Sequence, residues 1–144
     1  MSGFVDSMLV WAYKFLAKKG HDEAQFTLGT MYYTGKMVKL DKHEAIRRYR
    51  IAADQGYAPA QHRLGVEYWL GKSVQKNDDE AFKWFKLAAD QGHIQAKSLI
   101  AGCYYYGMGT PKDIVKARQL AEESSVAGDS SCTELLQTMS NDAS

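Results

Sequence analysis

The chain has 144 residues, of which 45% are hydrophobic, which is enough for a domain with a buried core and excludes an intrinsically disordered chain. Its net charge of +1 gives no general attraction to nucleic acid or anionic lipid, although residues 1–72 contain 11 basic and 7 acidic side chains and residues 73–144 contain 7 and 10. The two cysteines form no CxxC pair, which predicts free thiols in a reducing compartment.

The first predicted element is an amphipathic helix near residues 4–18. Asp6 and Lys14 interrupt its apolar residues, no basic segment precedes them, and no small-residue cleavage site follows. We therefore interpret it as part of the folded domain and not as a signal peptide. No run of residues approaches the 18 apolar positions of a membrane-spanning helix. We expect a cytoplasmic protein with no membrane partner.

A period of 36 residues governs the rest of the sequence. Glycines recur at Gly20, Gly56, Gly92 and Gly128. Three apolar series keep the same interval: Ala24, Ala60, Ala96 and Cys132; Leu28, Leu64, Ile100 and Leu136; Ala45, Ala81 and Ala117. Matches that are spread across a whole unit indicate tandem repeats.

Each unit is predicted to contain two helices. The second helix begins at an N-cap residue such as Asp41, and Glu44 three positions later predicts a capping box, as Glu80 does in the next unit. Gly56 and Gly92 follow the second helices and are predicted to be left-handed. The predicted helices lie near residues 4–18, 22–34, 41–54, 58–70, 77–90, 94–106, 113–126 and 130–140.

A pair of aromatic residues ends the first helix of each unit, in TMYYTGK, VEYWLGK and CYYYGMG. The first ring of each pair lies on the apolar stripe and is predicted to be core. The second ring, at Tyr33, Trp69 or Tyr105, points about 100° away. It either packs between units or contacts a partner, and the sequence leaves both interpretations open.

The combined pattern, AAxxGxxxAxxxLGxxYxxGxxVxxDxxxAxxxYxxAA, resembles the Sel-one-like repeat (SLR), a relative of the tetratricopeptide repeat. The resemblance covers about residues 17–140. It implies an all-α protein, a right-handed α/α superhelix (solenoid) of about three 36-residue helix-turn-helix repeats with a half-repeat helix at each end. The expected parts of this single domain are 1–19, 20–55, 56–91, 92–127 and 128–144.

The third unit departs from this pattern. Ala101 replaces the glycine after the leucine and Ala121 replaces the aromatic residue of the second helix, so we expect this unit to pack less tightly. The second loop glycine of the family is present only as Gly109, and Met37 and Ser73 stand in its place in the other units.

The resemblance implies protein–protein interaction and no catalysis. If the tetratricopeptide geometry carries over, one face of the first helices lines a concave groove that receives a protein segment. The predicted groove residues are Phe26, Thr30, Tyr33, His62, Val66, Trp69, Ser98 and Tyr105.

Other chemistry has little support in the sequence. The four histidines have no metal-ligand spacing, and no nucleophile, acid–base pair or phosphate loop is present, so we expect no metal, no cofactor and no catalytic residues. The cluster of Arg47, Arg48 and Arg50 lacks interleaved aromatic residues. We interpret it as a solvated outer face and not as a nucleic-acid site.

The N-terminal half-unit has large apolar residues at three positions, two of which are polar in the first unit. Met8, Trp11 and Phe15 align with Glu44, Arg47 and Ile51. These three residues either form a cap of the domain itself or contact another chain, including a second copy of this one.

The sequence therefore predicts a non-enzymatic adaptor or scaffold. The alternative is a bacterial immunity or inhibitor protein that blocks one toxin or enzyme, a role that the resemblance permits. Affinity separates the two, because an inhibitor is expected to bind at nanomolar strength and an adaptor at micromolar strength.

Overall fold

A computed structural model describes residues 2–144, in which the regular structure is helical and contains no strand. The helices are α1 Ser2–Lys18, α2 Asp22–Thr34, α3 Lys42–Asp54, α4 Ala58–Leu70, α5 Asp78–Asp90, α6 Ile94–Tyr106, α7 Ile114–Val126 and α8 Ser131–Asp142. All predicted helices are found, with ends that differ by at most two residues. The all-α class is confirmed, as are three helical repeats (α2–α3, α4–α5 and α6–α7) with a flanking helix at each end.

The chain divides into two compact units within α4, the first ending at Leu64 and the second beginning at Gly65. In the first unit α2 packs against both α1 and α3. In the second unit α6 packs against α5, α7 and α8. The organisation as one domain with repeats at 20–55, 56–91 and 92–127 stays a prediction.

A left-handed glycine terminates the second helix of each repeat. At the end of α3, Gly56 has a φ of 91°. The N–H of Gly56 donates to the carbonyl of Ala53, and the N–H of Tyr57 donates to the carbonyl of Ala52, both at 3.0 Å. This pair of bonds is a Schellman motif. Gly92 has a φ of 88°, so both predicted left-handed glycines are confirmed.

The predicted N-caps are also confirmed. The predicted capping boxes are wrong, because only one of the two reciprocal hydrogen bonds of that motif is present. The side chains that accept a backbone N–H three residues ahead, each at 3.0 Å, are those of Asp41, Asn77 and Asp113. In a capping box the backbone N–H of Asp41 would bond to Glu44. Instead it donates to the carbonyl of Tyr32 at 2.9 Å, and the N–H of Asn77 donates to Tyr68 in the same way. These bonds tie the end of each first helix to the start of the second.

The two helices of a repeat approach so closely that a glycine faces an aromatic ring. A Cβ on Gly29 would come within 2.7 Å of the Tyr49 ring, and a Cβ on Gly65 within 2.5 Å of the Phe85 ring. Both rings are 1% exposed and are held by their surroundings. Each ring can therefore occupy its position only because the facing residue has no side chain.

The third repeat uses two alanines at this contact. Ala101 and Ala121 are completely buried and pack in one cluster with Cys132, with Leu135 and Leu136 packed against it. The expectation of looser packing in this unit stays a prediction, since burial alone does not measure how tightly the helices pack.

We predict strong coupling between Gly65 and Phe85. Gly65→Ala should lower the free energy of unfolding by about 1–3 kcal/mol, since its methyl group would overlap the ring. In a Phe85→Ala background the same change should stabilise by up to about 1 kcal/mol, because alanine favours helix over glycine. Urea unfolding of the four proteins measures the coupling. Ala101→Gly is the control, and equal effects of Gly65→Ala in both backgrounds would contradict the prediction.

A second prediction concerns the loop position of Met37, which adopts a φ of 67° although it is not glycine. Gly109, at the same repeat position, has a φ of 66°. Met37→Gly should be about 1 kcal/mol more stable than Met37→Ala in thermal unfolding, because only the alanine keeps the strained Cβ. Ser73 has no positive φ, so Ser73→Gly should show no such advantage over Ser73→Ala.

Candidate functional site

The predicted groove residues of the first unit lie together on α2. The Phe26 ring packs 5.5 Å from the rings of Tyr49 and Tyr57, and the Tyr33 ring lies 6.4 Å from Tyr49. Thr30 is exposed, and its hydroxyl accepts a hydrogen bond from the Tyr49 hydroxyl at 3.3 Å. Phe26, Thr30 and Tyr33 therefore form one surface that is backed by the Tyr49 ring.

A cation completes this surface. The Arg63 guanidinium lies 4.3 Å from the centre of the Tyr33 ring and 5.9 Å from that of Tyr49, within the range of cation–π attraction. Sequence reasoning missed Arg63. The repeat period could have indicated this neighbour, because the residue thirty positions after the second ring is Arg63 for Tyr33 and Leu135 for Tyr105.

The remaining predicted groove residues are accessible to different degrees. His62, Val66 and Trp69 are half-buried on α4. Ser98 on α6 is also half-buried, and its hydroxyl donates to the Asp129 carboxylate. Val66 and Trp69 in the second unit keep accessible surface, whereas the Ser98 hydroxyl is engaged within the fold.

Tyr105 was predicted to face the groove, and the structure corrects this. Its side chain is 8% exposed and packs with Ala117 and Met139. Its hydroxyl donates to the carboxylate of Asp142. The α8 helix therefore covers the second ring of the third repeat, which leaves the candidate set.

The two rings of the third pair contact different neighbours. The Tyr104 ring meets the Phe82 ring of α5 edge-on, with centres 5.6 Å apart. Tyr105 packs against α8. Adjacent helix positions point about 100° apart, so one pair of rings contacts both α5 and α8.

The arginine cluster on α3 is partly neutralised by its own helix. Glu44 accepts hydrogen bonds from Arg47 and Arg48, each at 2.7 Å, and Arg48 also donates to the side-chain oxygen of Gln25 at 3.0 Å. The hydrogen bond from Arg47, with that from Arg48, lowers the pKa of Glu44 from 4.5 to about 2. That the cluster forms a solvated outer face stays a prediction, since the Arg48 side chain is only 17% exposed.

The N-terminal end surface is accessible. Trp11 is 67% exposed and stacks on Phe15 with ring centres 5.7 Å apart, and Met8 on the same face is also exposed. Trp11 also lines a cleft of about 500 Å³ together with Tyr32 and Met37. The three predicted end residues therefore lie on one apolar face of α1.

In residues 2–144 no three histidine, cysteine, aspartate or glutamate side chains are placed to hold a metal ion. Burial raises the pKa of Cys103 to about 11, which keeps the thiol protonated. Within the same residues, no helix has both the length and the apolar character to cross a bilayer.

The Glu44 ion pairs predict a dependence of stability on pH. Because the folded pKa is depressed, the stabilisation is fully present above pH 4.5 and is lost as the pH falls toward 2. Glu44→Gln should cost about 1 kcal/mol at pH 7 and nothing near pH 2. Denaturant unfolding across this range measures it. Glu122→Gln, at an exposed carboxylate on α7, is the control, and a pH-independent cost for Glu44→Gln would contradict the assignment.

Comparison with known proteins agrees with this architecture. The Sel1 repeat family matches residues 22–57, 58–93 and 95–129. A Sel1 repeat protein from Oxalobacter formigenes has a TM-score of 0.84 at 33% identity, covering 89% of this chain and 96% of that chain. The protective antigen c5321 of uropathogenic Escherichia coli, which displays an SLR fold, has a TM-score of 0.82 at 31% identity over 85% of this chain.

This chain spans 26% of the length of c5321. Helicobacter pylori cysteine rich protein B shares the fold, with a TM-score of 0.69 at 15% identity over 94% of this chain and 97% of that chain. No curated protein has a matching sequence. Because the three matched repeats cover most of the 144 residues, the chain belongs to the Sel1 repeat family.

Proposed function

We propose that this Sel1 repeat protein is a non-enzymatic adaptor or scaffold that binds a segment of another protein on its first helices. Sel1 repeat proteins are generally protein-interaction modules. The proposed contacts are Phe26, Thr30, Tyr33 and His62 in the first unit and Val66, Trp69 and Ser98 in the second. The free, buried cysteines support action in a reducing compartment such as the cytoplasm.

The observation that carries this proposal is the fixed position of the Tyr33 ring. Tyr49 lies on one side of it and the Arg63 guanidinium covers it at 4.3 Å, while part of the ring stays accessible. A ring that is already held in place loses little conformational entropy when it binds. Rigid aromatic side chains with a polar edge are frequent anchors of protein interfaces.

The partner that fits such a surface is a helix or extended peptide with apolar side chains. Half-buried aromatic and aliphatic residues supply contact area, and the Thr30 hydroxyl and His62 supply polar contacts at its edge. The pairing of Arg47 and Arg48 with Glu44 supports a protein partner over nucleic acid, because part of the basic cluster is neutralised.

Trp69→Ala tests the proposal. If the indole is an anchor, the fold should survive with a small drop in melting temperature, and partner binding should weaken at least tenfold. The measurements are thermal unfolding and capture of bound proteins, quantified by mass spectrometry, with wild-type protein as reference. Leu87→Ala removes an exposed apolar side chain from α5 and is the matched control.

The opposite result would assign the Trp69 side chain to helix packing and not to partner binding. If Trp69 only packs between helices, the substitution should cost about 3–5 kcal/mol and leave binding per folded molecule unchanged. The affinity for the captured partner then separates the two classes of function. Nanomolar binding to a single toxin or enzyme, with loss of its activity, would identify an inhibitor, and micromolar binding to peptide segments would identify an adaptor.

A further inference from the structure

Seven exposed large apolar side chains lie on α1, outside the proposed groove. Phe4 is 73% exposed and Trp11 67%. The exposed large apolar side chains of this helix are Phe4, Val5, Met8, Leu9, Trp11, Phe15 and Leu16. Single exposed apolar residues are common, but a continuous group on one helix marks a contact surface.

Four of these side chains, Phe4, Met8, Trp11 and Phe15, lie on one face of α1, about a third of a turn away from Val5, Leu9 and Leu16. An aromatic side chain presents about 150–250 Å² when fully exposed, so these four partly exposed side chains together present on the order of 500 Å². That equals the largest apolar patch of an ordinary monomer, about 300–600 Å², which is often functional. A standard interface buries about 800 Å² on each partner, so this face can supply the apolar centre of a contact that polar neighbours complete.

The residues on α1 do not suit a further helix of the repeat type. Leu9 and Leu16 stand where α3 has Ala45 and Ala52, which are completely buried. Alanine at these positions lets the first helix of a repeat approach closely, and leucine would hold such a helix away. A repeat-type helix therefore could not pack closely on the side of α1 that carries Leu9 and Leu16.

The spacing of the four largest side chains favours a second copy of the same helix. Phe4, Met8, Trp11 and Phe15 are separated by four, three and four residues, a series that reads the same in both directions. A twofold interface requires a surface that is complementary to itself. Antiparallel pairing meets this requirement, because Phe4 then faces the partner's Phe15, and Met8 faces the partner's Trp11.

We propose that two copies of this chain pair through α1, antiparallel, about a twofold axis between Met8 and Trp11. The pairing joins aromatic rings with rings and methionine sulfur with an indole, which are favourable contacts beyond the buried area. It leaves the proposed groove residues of α2 and α4 outside the contact that it defines.

Sedimentation analysis of the full chain tests this pairing. The wild type should sediment at twice its mass of 16.1 kDa at micromolar concentration. Phe4→Ser/Trp11→Ser should dissociate it, with a dissociation constant at least 100-fold weaker and an unchanged circular dichroism spectrum. Val126→Ser removes the most exposed apolar side chain of α7, at 91%, and should stay dimeric. A monomeric wild type, or a double variant that stays dimeric, would overturn the proposal.

A spin label on Lys18→Cys tests the direction of pairing. With a rise of 1.5 Å per residue, labels in the antiparallel dimer should lie about 25 Å apart, whereas a parallel pair would bring them within about 15 Å. The native cysteines are buried, which favours labelling at position 18. Distances near 15 Å would overturn the antiparallel arrangement.

Vesicles of phosphatidylserine and phosphatidylcholine separate a protein contact from a lipid contact. The wild-type dimer should remain in the supernatant when the vesicles are pelleted. A monomer that pellets with vesicles and is released by Phe4→Ser/Trp11→Ser would assign the α1 face to a membrane surface and overturn the proposal.

Discussion

The close approach of two helices within a repeat is the constraint on which the candidate surface depends. Gly29 leaves space for the Tyr49 ring, and Gly65 leaves space for the Phe85 ring. A buried ring has few alternative positions in a close-packed interior. Tyr49 is thus fixed at a point where Phe26 and Tyr33 can rest against it. The packing of one hairpin therefore orients the residues of the proposed binding surface.

The third repeat lacks the contact between a glycine and an aromatic ring. With Ala101 and Ala121 at the contact, α8 places leucines against the alanines and covers Tyr105. The outward face of α8 carries exposed polar residues such as Thr133, Gln137 and Thr138, which suits contact with solvent. The α1 helix has the opposite character, because its accessible face is apolar. The two flanking helices therefore differ in what they can contact.

The helix ends were predictable because they depend on local chemistry. A glycine after the last turn and an aspartate or asparagine before the first turn fix a boundary whatever packs around it. The reciprocal bond of the capping box was not predictable in this way. The N–H of Asp41 has two acceptors within reach, the Glu44 side chain and the Tyr32 carbonyl, and the fold of the loop selects the carbonyl.

The repeat pattern could not predict whether the second ring is buried, because residues of another helix determine this. The residue thirty positions after Tyr33 is Arg63, whose guanidinium covers the ring and places a charged group beside it. At Tyr105 the corresponding residue is Leu135, and the ring becomes core. Trp69 stays half-buried although Leu99 stands at the corresponding position. One repeated motif thus gives a buried ring at Tyr105 and a partly accessible ring at Tyr33, according to the neighbour that each ring meets.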